Sequence, residues 1–163
     1  MYKFRIAEDD ERKAVKGNYS GNWIYGTTPP NGEKAYALFL GKMISRFGKN
    51  DSFSDDWETM YSYWIVAEDE NGQKALIEIY HGSGGSSYSI PTSYDNESKR
   101  ELYYTAVKEL LEYIESAVPE DYEWESVYAD IPANVKYIVK DGVANVESTF
   151  GEFDGDFDPE DFM

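Results

Sequence analysis

Apolar positions along this chain switch between a period of two and a period near 3.6, and the switches outline its elements. Tyr2, Phe4 and Ile6 alternate with Lys3 and Arg5, the pattern of a half-buried strand. Glu8-Asp9-Asp10-Glu11 follows as a solvated turn or frayed helix start. From Gly17 to Gly32 the chain is rich in Gly, Asn, Thr and Pro, with Trp23, Ile24 and Tyr25 as an apolar island, predicting an ordered loop or short strand. Ala35, Leu38, Phe39, Met43 and Phe47 then share one face of a helix ending at Gly48. A polar loop from Lys49 to Glu58 carries Phe53 and Trp57. Tyr61 to Ala67 and Lys74 to Tyr80 read as a hairpin closed by a tight turn at Asn71-Gly72, with Ile77 and Ile79 on one face and Glu78 on the other. His81-Gly82-Ser83-Gly84-Gly85-Ser86-Ser87 reads as a flexible connection to a short strand, Tyr88 to Ile90, stopped by Pro91.

A second helix is marked at its start by Ser98 and Glu101 in the spacing of a capping box. Leu102, Tyr103, Ala106, Val107, Leu110, Leu111, Ile114 and Ala117 form its continuous apolar face, and Pro119 closes it. Tyr137 to Lys140 and Val143 to Glu147 flank Asp141-Gly142, the signature of a type I′ hairpin. Hairpins separated by two helices predict an α+β fold: a mostly antiparallel sheet with two main helices packed on one face. Residues 1–150 form a single domain in this reading, and 151–163, where Phe and Asp alternate with Gly and Pro, form a disordered acidic tail.

Charge adds a second layer. The formal charge is −17, and it is unevenly spread. Between Lys108 and Lys136 lie eight acids and no base, and the last thirteen residues add six acids and no base. The remaining eighteen acids face fifteen Lys and Arg, a near balance. Local acidity of this kind implies a surface with a preferred kind of partner, a basic protein such as a nucleic-acid-binding protein. Direct contact with nucleic acid or an anionic membrane is not expected, since both need clustered Lys and Arg. Met1 to Ile6 contains no apolar run fit for a signal peptide, and no window approaches the roughly 18 residues of a membrane span, so a soluble, cytoplasmic protein is expected. With 17% aromatic residues, the chain has material for a core without metal or disulfide support.

Candidate chemistry is sparse. The chain has no Cys and one His, which removes thiolate zinc sites and cysteine nucleophiles and leaves no cofactor or metal expected. The glycines after His81 offer an anion nest, with Ser83, Ser86 and Ser87 adding hydroxyls, yet neither GxGxxG nor GxxxxGK[ST] is present and no helix is predicted to start there. Asp154, Asp156, Asp158 and Glu160 echo the start of a calcium loop, but Pro159 intrudes and the twelfth-position Glu is missing. The acidic segment is the stronger candidate. Glu112 and Glu115 sit near a helix C-terminus, where the macrodipole disfavours negative charge, and helix stability alone would place Lys there. Immediately beyond, Glu120-Asp121-Tyr122-Glu123-Trp124-Glu125 interleaves acids with two aromatic side chains of the type that anchor interfaces. The same alternation also fits a half-buried strand with Tyr122 and Trp124 inward. The candidate partner-binding residues are therefore Glu112, Glu115, Glu120, Asp121, Tyr122, Glu123, Trp124 and Glu125.

The stretch from Trp57 to Gly72, WETMYSYWIVAEDENG, followed by Leu76-Ile77-Glu78-Ile79-Tyr80-His81-Gly82-Ser83-Gly84-Gly85, resembles small bacterial immunity proteins of polymorphic toxin systems. It pairs an aromatic-rich strand and turn with a strand that ends in a Tyr-His-Gly segment. The resemblance covers about a quarter of the chain and implies a single-domain cytoplasmic inhibitor that binds a cognate toxin and does no chemistry. The alternatives are a nucleic-acid mimic, such as a phage-type inhibitor of a host defence protein, and a small enzyme or ligand-binding domain built on the His81 glycine loop.

Overall fold

The computed structural model describes residues 1–14, 19–26, 32–49, 59–82, 85–91, 97–127 and 133–150. The polar loop after Lys49 and the acidic tail lie outside the described residues. In chain order the elements are β1 (Lys3–Ile6), α1 (Asp9–Ala14), β2 (Tyr19–Gly26), α2 (Gly32–Phe47), β3 (Thr59–Glu68), β4 (Lys74–Gly82), β5 (Gly85–Pro91), α3 (Glu97–Glu115), β6 (Tyr122–Val127), β7 (Ala133–Lys140) and β8 (Val143–Phe150).

The strands form two antiparallel sheets, where the sequence predicts one. The larger has the order β1-β3-β4-β5-β2 and the smaller β6-β7-β8. This is the expected α+β class, with α2 and α3 on one face of the larger sheet. Phe39, Leu40 and Met43 of α2 and Ala106, Val107, Leu110 and Ile114 of α3 pack against Tyr63, Ile65, Ile77, Ile79 and Ile90. Full burial of each large apolar side chain in such a layer contributes about 1.5–3 kcal/mol. The opposite side of α2 supports the smaller sheet, where Tyr36 and Ala37 meet Tyr137, Val139 and Ala144. The single apolar stripe through Ala35, Leu38, Phe39, Met43 and Phe47 therefore understates this helix. Tyr36, Ala37 and Leu40 are buried along with Phe39 and Met43, as befits a helix held between two sheets. Gly41 permits the close approach on the second side, since a Cβ there would lie 3.2 Å from the Pro119 Cβ.

The tight turn expected at Asn71-Gly72 closes the β3–β4 hairpin, and two other local predictions change in the structure. The turn is a three-residue loop with only Gly72 at positive φ, which differs from a type I′ turn, where both central residues have positive φ. Asp69 explains the difference: its carboxylate accepts the backbone N–H groups of Asn71 (2.9 Å) and Gln73 (2.8 Å), and its carbonyl accepts that of Gly72. By contrast, Asp141 (φ 52°) and Gly142 (φ 75°) do form the type I′ geometry between Lys140 and Val143. The glycine run after His81 is mostly strand, with His81 paired to Ser86 and Gly82 to Gly85. Backbone pairing needs no side chain, so glycines extend a hairpin that a composition reading takes for a connection. Finally, α3 already includes Glu97, two residues before Lys99, where a capping box at Ser98 would start the helix.

Candidate partner-binding surface

The eight candidate residues divide by what their side chains touch. Glu115 ends α3 and is half-buried. It accepts hydrogen bonds from the Tyr25 hydroxyl and from Lys42 Nζ, the latter at 2.5 Å, so it joins β2, α2 and α3. A carboxylate at a helix C-terminus is unfavourable in isolation, and here a tertiary cation offsets it. Burial first, and then the hydrogen bond to Glu115, push the Tyr25 phenol up to about 12. Glu115 thus has a structural partner that its sequence neighbours do not reveal.

Tyr122 and Trp124 are half-buried and pack against both core clusters around α2. Trp124 stacks on Tyr137 with ring centroids 4.9 Å apart and planes at 22°. The strand β6 pairs with β7 so that Trp124 faces Tyr137 and Glu125 faces Lys136. Alternation therefore sends the two rings toward α2 and the acids of β6 to solvent.

The exposed members are Glu112 on α3, Glu120 and Asp121 in the connection, and Glu123 and Glu125 on β6. Asp121 also accepts the Asp141 backbone N–H at 3.1 Å, which ties the connection to the β7–β8 turn. Glu123 pairs with Lys136 at 2.6 Å. The Lys136 ammonium is held above the usual lysine range chiefly by that hydrogen bond, with Glu147 and Glu125 adding negative field. Three carboxylates thus surround one cation, and the solvent face of the smaller sheet stays net negative.

The second candidate, the His81 glycine segment, is placed by backbone register. Position 81 shares the sheet face of Ile77 and Ile79, while Glu78 lies on the other. Burial raises the Glu78 carboxyl pKa, and a hydrogen bond from the Ser62 hydroxyl works in the opposite direction. Among the described residues no group of three or more His, Asp or Glu side chains is arranged to hold a metal ion. Nor is any helix among them long and apolar enough to cross a membrane.

One site lies outside the sequence reading. A cavity beside Trp64 draws residues from β1, α1, the end of α2 and β3, elements too far apart in the chain for any spacing to signal. Compared with protein-family models, with curated proteins and with solved structures, the chain has no match.

Proposed function

We propose that the protein is a non-enzymatic inhibitory binding protein, an immunity protein that neutralises a cognate basic toxin through the acidic surface at the end of α3 and along β6. The observation that carries this reading is the shared exposure of Glu112, Glu120, Asp121, Glu123 and Glu125, with Lys136 as the cation paired among them. In a folded chain such segregation costs self-repulsion and is favoured by a cationic partner. The resemblance of the Trp57–Gly85 stretch to immunity proteins supports the same reading. Tyr122 and Trp124 serve this surface from below: they fix the strand on α2 and leave the carboxylates at the interface.

Carboxylates at an interface rim act mainly on the encounter rate and on partner choice. The experiment is protection of cells that express the toxin domain encoded beside this gene. The intact chain is expected to restore growth. The combined Glu120→Gln, Asp121→Asn, Glu123→Gln and Glu125→Gln variant is expected to lose that protection while keeping its unfolding midpoint. Undiminished protection by this variant would remove the acidic surface from the interface.

A further inference from the structure

The larger sheet has an outer face, turned away from α2 and α3, and at its centre stands the half-buried Glu78. Cross-strand register places Trp23 of β2, Ser87 and Ser89 of β5, Glu78 and Tyr80 of β4, and Ser62 and Trp64 of β3 together on that face. Glu78 is paired with Trp64 on one side and Ser89 on the other, and Tyr80 lies two positions along its own strand. At one end of the face Ala7 packs on Val66 and Leu76. Toward the other end Tyr80, Ser87 and Ser89 are partly exposed, and Trp23 on the edge strand is 63% exposed. The bulge in β2 accounts for that ring: Ile24 and Tyr25 both pack against the core, and Trp23 is left on the outer side. Small residues separate the aromatic ones. Ser87 stands between Trp23 and Tyr80, and Gly21 leaves its place to Ser89, whose hydroxyl oxygen would lie 2.8 Å from a Cβ there.

The charge of Glu78 is not met from within the described chain. The Ser62 hydroxyl is its one hydrogen-bond donor among the described residues, which leaves acceptor capacity on the carboxylate. Every Lys and Arg except Lys16 is described, and none forms an ion pair with it. Burial raises its pKa with no cation to oppose the rise, so the ionised group works against folding at neutral pH. Packing alone does not account for a carboxylate kept there. A planar cation suits the surroundings: a guanidinium forks onto a carboxylate through parallel N–H groups and stacks on Trp or Tyr rings, which a compact ammonium does less well.

We propose that the outer face around Glu78 receives an arginine side chain of a partner protein, its guanidinium pairing with the carboxylate and lying against the flanking Trp64 and Tyr80 rings. The face lies across the larger sheet from α2, away from the acids of β6, so it stands or falls independently of the immunity reading.

The test is an amide and indole NMR titration of the full chain with N-acetylarginine amide, against N-acetylcitrulline amide as the neutral compound of the same shape. The arginine compound is expected to give saturable shifts at Ser62, Glu78, Tyr80 and the Trp64 indole, and to bind more tightly than the citrulline compound. Glu78→Gln keeps the shape of the side chain and removes its charge. It is expected to weaken the arginine compound by about tenfold, the loss of one charged hydrogen-bonded pair, and to leave the citrulline compound unchanged. Lys16→Gln should alter neither affinity. Tighter arginine binding in Lys16→Gln would mean that Lys16 already pairs with Glu78, and would overturn the proposal. Equal affinities for the two compounds, shifts confined to the acids of β6, or arginine binding unaltered by Glu78→Gln would overturn it too. Saturable shifts at the same residues with methyl glucoside, without a preference for arginine over citrulline, would give the face to a sugar instead.

Discussion

Trp124→Ala separates a side chain that builds the surface from one that meets the partner. A buried tryptophan withdraws about 150–250 Å² from water. Trp124 is half-buried, so about 150 Å² is the suitable value, and at about 25 cal/mol/Å² its burial stabilises by just under 4 kcal/mol. A compact unfolded ensemble already hides part of that area, which reduces the figure to about 2.5 kcal/mol. Stacking on Tyr137 at 4.9 Å adds about 0.5–1.5 kcal/mol. The substitution should therefore cost about 3 kcal/mol. In a chain of this length that lowers the melting temperature by about 6–12 °C. Urea unfolding followed by far-UV circular dichroism measures the loss, with Trp124→Phe expected to retain about half of it. A change below about 0.5 kcal/mol, accompanied by loss of partner binding, would refute the packing argument and make Trp124 an interface anchor.

Other consequences concern the larger sheet and its fastenings. A Cβ at Gly21 would lie 2.4 Å from the Tyr88 carbonyl oxygen, so Gly21→Ala should destabilise by about 1–3 kcal/mol in thermal unfolding, despite the usual preference of strands for alanine over glycine. Tyr25 has a folded pKa of about 12 against an ordinary 10, so its contribution is complete below pH 10 and is lost as pH rises through 12. Unfolding midpoints between pH 9 and 12 should fall less steeply in Tyr25→Phe than in the parent. Glu78 carries the opposite sign to a paired carboxylate. Burial raises its folded pKa, so ionisation opposes folding at neutral pH, and Glu78→Gln should raise the midpoint at pH 7 with the gain fading below the unfolded pKa.

The parts of this fold legible in the sequence are those set by local periodicity. α3 buries Ala106, Val107, Leu110 and Ile114 because an eight-position apolar stripe needs only one face to cover it. The Asp141-Gly142 turn is equally local, since both residues adopt positive φ readily. What the pattern does not carry is pairing between distant segments. β2, Gly- and Asn-containing, becomes a strand because β5 pairs with it from Tyr19–Pro91 to Gly26–Gly85, with a bulge between Trp23 and Tyr25. The division into two sheets follows from α2, whose second buried side, through Tyr36 and Ala37, answers to residues about a hundred positions away.

The candidate surface divides on the same principle. The alternation of Glu123, Trp124 and Glu125 identifies a strand with acids outward. Glu115 reads as an interface acid in sequence because Lys42 and Tyr25, its partners, are 73 and 90 positions away. The cavity beside Trp64 has no sequence signal at all, as it assembles from the end of one strand, one turn of helix and the end of another helix.

The central claim is that the acids of α3 and β6 steer a cationic partner, and the association rate as a function of salt tests it most directly. Screening shortens from about 10 Å at 0.1 M salt to about 3 Å at 1 M. Stopped-flow association with the toxin domain at about 50 mM and about 500 mM NaCl should show a fall of about tenfold or more in rate, with a much smaller change in dissociation. An association rate and affinity unchanged across that range would contradict the account.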